Sequence, residues 1–382
     1  MIKLVDLAAQ NAEIMSQTEP ALAELHRQTA YVGGPSVAAF ENALAAYLGV
    51  KRTIGVGSGT DALRLALLAA GVGPGSEVLT VPLTFIATAE AIVQTGARPV
   101  LIDVDPIRRT MDPQAVRAYL QAGRWQTAQG PRALLPVHLY GLPAAMDELR
   151  RIGAQWHLPI IEDACQAHGA RVLVGGRMLR AGAGGDFGCF SFYPGKNLGG
   201  WGEGGAIALN DEEKADQLAR LRDHGRLSHY AHQEYGYNAR LDSLQAVVLN
   251  AKLQRLEAWN ARRRLIASWY SELLADSVVG LPAEPADCEP CYHLFVIESR
   301  RRDAIRQALL SAQIQCGIHY PVPLHLQPAC RELGYRRGDF PISERLSDTV
   351  LSLPMHPHLS AREVQQVASV VRAAAGAGTS NV

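Results

Sequence analysis

Between residue 55 and about residue 250 the chain alternates short apolar runs with longer amphipathic ones, and this alternation limits the fold more than any other feature. Glu77–Val81, Pro99–Asp103, Ala133–Val137, Leu158–Glu162, Phe187–Phe192 and Ala206–Leu209 read as strands. Helices are predicted between them at 60–70, 85–94, 145–155 and 212–222. Thr60 is expected to cap the first helix and Gly71 to end it. Strand–helix alternation predicts an α/β fold with a mostly parallel sheet, covered by helices on both faces. Ligands of such sheets gather at the carboxyl ends of the strands.

Beyond this region a single long helix is predicted from Asp242 to about Ala275. A strand at Tyr292–Glu298, a helix at Asp303–Ala312 and a Pro/His-rich loop at Tyr320–Leu326 follow. With 382 residues two domains are expected. They divide as 1–252, a large domain with an N-terminal helical segment, and 253–382, a smaller α+β domain. Residues 373–382 read as a frayed end.

Lys+Arg and Asp+Glu both total 37, so no net field draws the chain to nucleic acid or an anionic membrane. No run approaches the ~18 apolar residues of a membrane span. Met1–Asp6 lacks the basic-then-apolar pattern of a secretory leader, so the cytoplasm is the expected location. Six cysteines in a chain this long do not form a disulfide framework. Cys288 and Cys291 form one C-x-x-C without the two further ligands zinc requires, and no metal is expected.

The chemistry concentrates in SFYPGKNLGGWGEGG, residues 191–205, where Lys196 follows a strand among glycines. A phosphate-binding P-loop would need Gly at 190 and Ser or Thr at 197, where Phe190 and Asn197 stand. The spacing Gly200, Gly202, Gly205 fits a dinucleotide fingerprint, but it precedes a strand instead of a helix. An amine on a short glycine-flanked turn can instead reach a carbonyl carbon and form an imine; a solvated surface lysine is the plain alternative. Asp163, in IIEDACQAHGA, ends an apolar strand. It could hold a pyridinium nitrogen protonated, making the ring an electron sink, or simply cap a loop. Gln166 could reach the ring hydroxyl. GVGSGTDAL, residues 55–63, offers backbone N–H groups and a helix N-terminus to an anion, with Ser191 as a further hydroxyl. Phe85 could stack on a pyridine ring or fill the core.

Together with PVHLYG (136–141), GDFGCFSFYPGKNLG (185–199), NARLDSLQAVVL (238–249), GIHYPVPLHLQ (317–327) and LSLPMHPHL (351–359), these segments resemble the DegT/DnrJ/EryC1/StrS sugar aminotransferases, fold-type-I pyridoxal-phosphate enzymes. The resemblance runs through nearly the whole chain. It implies that Lys196 is the Schiff-base lysine, Asp163 the pyridine-nitrogen partner, Gln166 the ring-hydroxyl partner and Phe85 the stacking residue. Gly59, Thr60 and Ser191 would cradle the phosphate. Asn238 would reach that phosphate from a neighbouring subunit, which requires a homodimer. Lysine at 196, where dehydratase relatives carry histidine, points to amino transfer; Cys165 stands where alanine is usual.

The implied reaction moves an amino group from L-glutamate through pyridoxamine phosphate to a nucleotide-linked keto sugar, a dTDP-3-keto-6-deoxyhexose being preferred. Candidate sugar and phosphate contacts are Arg220, Arg240, His319, Tyr320 and His325. The competing readings are a cyclitol aminotransferase acting without a nucleotide and a non-catalytic regulatory protein of the same fold.

Overall fold

The computed structural model describes residues 1–123 and 125–376. Seven strands make the central sheet, in the order Arg98–Leu101, Glu77–Thr80, Pro131–Leu134, Ile161–Asp163, Phe187–Ser191, Gly205–Leu209, Arg52–Val56. The two halves join through parallel bridges Leu134 to Ile160 and Val137 to Asp163. Six strands run parallel and only Gly205–Leu209 is reversed, antiparallel to both its neighbours. Nearly every residue of these strands is buried, as continuous apolar runs covered on both faces must be. The large core cluster includes Ile54, Leu65, Val78, Leu134 and Ile161.

The helix after the first strand spans Gly59–Ala69, and its cap is Ser58 in place of the expected Thr60. The Ser58 hydroxyl accepts from the Asp61 N–H at 3.0 Å. An extended backbone at Ser58 allows this, whereas Thr60 already lies inside the helix. The predicted helix over 242–275 is two helices, Ser243–Leu253 and Leu256–Leu274. Gln254 and Arg255 keep near-helical dihedrals, but the Arg255 N–H bonds Lys252 three residues back, shifting the ladder without any Pro or Gly.

A second core gathers Ile266, Tyr270, Phe295, Leu309, Leu351 and Val367 around the antiparallel pair Phe295–Glu298 and Val350–Leu353. Ile2 belongs to this core and bridges to Ile314, so the start of the chain packs with its C-terminal part. The last helix, Ala361–Ala375, carries a capping box at Ser360 and Glu363. It extends into the segment expected to fray, of which residues 377–382 lie outside the described residues. No helix among the described residues is long and apolar enough to cross a membrane.

Candidate active site

A cavity of about 690 Å³ opens at the carboxyl ends of the parallel strands. Into it face Gly59, Thr60, Phe85, Asp163, Gln166, Ser191, Lys196, His319 and Tyr320, nine of the residues singled out in the sequence. They come from strand ends and the loops just beyond them, where strand–helix topology places them.

Asp163 ends the strand Ile161–Asp163 and is only 5% exposed. Its carboxylate is held by two donors. The Thr88 hydroxyl donates to Oδ2 at 2.8 Å, and the Cys165 N–H donates to Oδ1 at 3.2 Å. Thr84 bonds the Thr88 hydroxyl in turn at 2.9 Å. The preceding residue, Glu162, faces away. It is fully buried and receives the Gly182 N–H at 2.8 Å and His138 Nε2 at 2.7 Å, tying the 182–185 loop to the strand.

Lys196 closes a turn in which its N–H bonds the Tyr193 carbonyl. Burial lowers its pKa from the ordinary lysine value, and the nearby Asp163 partly opposes that fall. Cys165 itself stays a thiol, because burial pushes its pKa well up. Gln166 is fixed in orientation: its Oε1 accepts from the Tyr140 N–H at 2.8 Å, and its Nε2 donates to Tyr320 Oη at 3.1 Å. One Nε2 hydrogen remains to serve a ligand. Phe85 is 54% exposed at the mouth, its ring centroid 5.8 Å from that of Tyr320.

The anion corner lies where the helix Gly59–Ala69 meets the end of strand Phe187–Ser191. The Asp61 and Ala62 N–H groups are taken by the side chain and carbonyl of Ser58. Among the described residues the N–H groups of Gly59 and Thr60 keep no acceptor, as the first turn of a helix leaves them. A Cβ on Gly59 would lie 2.6 Å from the Ser191 Cβ, so only glycine lets the helix end approach that hydroxyl. A half-buried amine, a buried carboxylate and an N–H-lined corner in one cavity fit the amine-binding, ring-binding and phosphate-binding ends of pyridoxal phosphate.

The DegT/DnrJ/EryC1/StrS aminotransferase family profile matches residues 12–372. The chain belongs to this family. It is 42% identical over 372 residues to the dTDP-3-amino-3,4,6-trideoxy-alpha-D-glucose transaminase of Streptomyces venezuelae, covering 97% of this chain and 95% of the relative. It is 43% identical over 375 residues to the erythromycin biosynthesis sensory transduction protein of Saccharopolyspora erythraea, covering 98% and 100%. The crystal structure of S. venezuelae DesV in complex with a ketimine intermediate matches with a TM-score of 0.92 at 42% identity, covering 97% of this chain and 98% of that one. The chain is thus a fold-type-I, pyridoxal-phosphate-dependent aminotransferase.

Four residues expected at the site of this aminotransferase lie elsewhere in the single chain. Arg220 pairs with Glu234 at 3.4 Å. Arg240 pairs with Asp223 at 2.8 Å and donates to the exposed Asn238 at 2.9 Å. The segment carrying them lies beside the edge strand Arg52–Val56, bridged through Val56 and Arg240. His325 cannot be a sugar contact as placed: it is 3% exposed, bonded through Nε2 to Glu344 at 2.9 Å and packed edge-on against Phe340. Residues the sequence reading passed over also line the cavity, among them Ser58, Thr88, Tyr193, Glu203 and His293. Ser58 had a signal in the S-x-x-D capping spacing to Asp61; the others had none.

Proposed function

We propose that the enzyme transfers the amino group of L-glutamate to the keto carbon of a nucleotide-linked deoxy sugar, a dTDP-3-keto-6-deoxyhexose being the favoured acceptor. The observation that carries this reading is the shared cavity of Lys196 and Asp163. When bound there, pyridoxal phosphate supplies an aldehyde that captures amines and a ring that absorbs negative charge from the substrate carbon. Asp163, held by Thr88, would keep the ring nitrogen protonated. Gln166 offers its free Nε2 hydrogen to the ring hydroxyl. Phe85 would cover one ring face, and Gly59, Thr60 and Ser191 would receive the phosphate. Lys196, its pKa lowered by burial, would take the proton from the substrate carbon and return it at the carbon on the far side of the transferred nitrogen.

Lys196 is the only Lys or Arg among the described residues lining the cavity, yet phosphate, diphosphate and the glutamate carboxylates must all be neutralised. We therefore place a second copy of the chain against this mouth, contributing Asn238 and, from the same segment, Arg220 or Arg240. Tyr230 and Tyr235, 87% and 102% exposed on that segment, suit burial in such an interface. The six free cysteines fit a reducing compartment, and we place the enzyme in the cytoplasm. The streptomycete relative named for a dTDP-amino-trideoxyglucose supports the choice of acceptor.

The test is a two-step reaction on reconstituted protein. L-Glutamate should bleach the visible absorbance of the bound cofactor, and a dTDP-3-keto-6-deoxyhexose should restore it with formation of an aminated nucleotide sugar detected by mass. Absence of bleaching would remove the enzymatic reading. Restoration by a free keto-inositol, with none by the nucleotide sugar, would move the assignment to cyclitols.

A further inference from the structure

His293 lines the cavity with Lys196 but has no role in the family assignment made above. Its protonation state is fixed by a chain of side-chain amides. Asn197, the residue after the lysine, donates Nδ2 to the Cys291 carbonyl at 3.1 Å and to Asn260 Oδ1 at 2.9 Å. A backbone carbonyl only accepts, so the Asn197 amide cannot be flipped. Its Oδ1 therefore faces His293 Nδ1, 3.2 Å away, and that nitrogen must carry the hydrogen. Nε2 is left with a lone pair and no partner among the described residues. Burial above all, and then the charge of Lys196, holds the pKa of this ring well below the usual histidine value, so it stays neutral.

The position is held as firmly as the tautomer. The buried Arg263 donates to the carbonyls of Tyr292 at 3.1 Å, His293 at 3.4 Å and Met355 at 3.0 Å, without a carboxylate partner among the described residues. The Leu294 N–H bonds Tyr140, and the Cys291 N–H bonds Gly141. A Cβ on Gly141 would come within 2.8 Å of the His293 backbone nitrogen, and Tyr292 adopts a positive φ of 45°. A non-glycine residue held in that region is strained, and such strain concentrates at ligand-binding positions.

We infer that His293 is a substrate-binding residue whose Nε2 accepts a hydrogen bond from a hydroxyl of the sugar. An acceptor repels the carboxylates of the amino donor, so the group matching it belongs to the polyol half of the reaction. This inference rests on the nucleotide-sugar reading given above. The experiment is calorimetry on the cofactor-loaded enzyme with two probes, dTDP-3-amino-3,6-dideoxygalactose and free dTDP. His293→Leu should weaken the amino-sugar probe about tenfold, the effect of one hydrogen bond, with dTDP within about twofold of wild type. His293→Gln, which keeps an acceptor, should recover most of that affinity. Unchanged binding of the amino sugar by the leucine variant, or equal loss for both probes, overturns the role of His293 alone. A wild-type enzyme that binds neither probe overturns the nucleotide-sugar reading and this inference with it.

Discussion

Thr88→Val removes one hydroxyl and almost no volume from the floor of the active site. Thr88 is 1% exposed, and its hydroxyl lies 2.8 Å from Asp163 Oδ2 and 2.9 Å from the Thr84 hydroxyl. With valine the carboxylate keeps only the 3.2 Å bond from the Cys165 N–H. A hydrogen bond to a charged acceptor contributes about 1.5–3 kcal/mol. If about 2 kcal/mol of that support is lost where the ring proton is held, the glutamate half-reaction slows roughly thirtyfold. The assay is a single turnover, following the loss of visible cofactor absorbance after mixing with L-glutamate. Thr88→Ser should restore most of the rate, because it returns the donor without the methyl group. A valine variant within about twofold of wild type would show that Thr88 does nothing for Asp163 beyond packing.

Lys196→Ala should fold normally, judged by an unchanged thermal midpoint of the apoenzyme, and show no turnover; retained turnover would remove the lysine from the chemistry. Asp163→Asn should still bind the cofactor by calorimetry yet lose about a hundredfold or more in rate, since a neutral amide no longer holds the ring proton. Near-normal turnover would assign that proton to another group. Stability should fall as pH drops. His168 is buried between Phe190 and Phe192 with no partner on either nitrogen among the described residues, and its pKa is depressed to about 3, by burial first and Lys196 second. The unfolded chain takes up this proton below about pH 6.5 while the folded one refuses it, so stability present above that pH is lost towards pH 3. At about pH 5 the loss from this ring is on the order of 2 kcal/mol. Denaturant titrations of wild type and His168→Phe at about pH 7 and pH 5 should show a smaller pH effect in the variant; identical pH effects would count against it.

The strands of the sheet and the gathering of Lys196, Asp163 and Gly59 in one cavity were legible because both depend on neighbours in sequence. Apolar runs mark buried strands, and Lys196, Asp163 and Gly59 stand at fixed places after those runs. What escaped depended on partners distant in the chain. His325 has Glu344 and Arg220 has Glu234, and no local pattern tells a paired side chain from an open one. His293 becomes meaningful only once Asn197, 96 residues earlier, fixes its tautomer. The break at Gln254–Arg255 carries no Pro or Gly, so the helical pattern crossed it unmarked.

The corner formed by Gly59, Thr60 and Ser191, proposed above to receive the phosphate, offers peptide hydrogens and hydroxyls, groups indifferent to whatever is esterified beyond the phosphorus. Inorganic phosphate or sulfate offers the same oxygens. Cofactor-free protein kept in a phosphate buffer should therefore load vitamin B6 sluggishly, and exchange into an organic amine buffer should restore prompt loading.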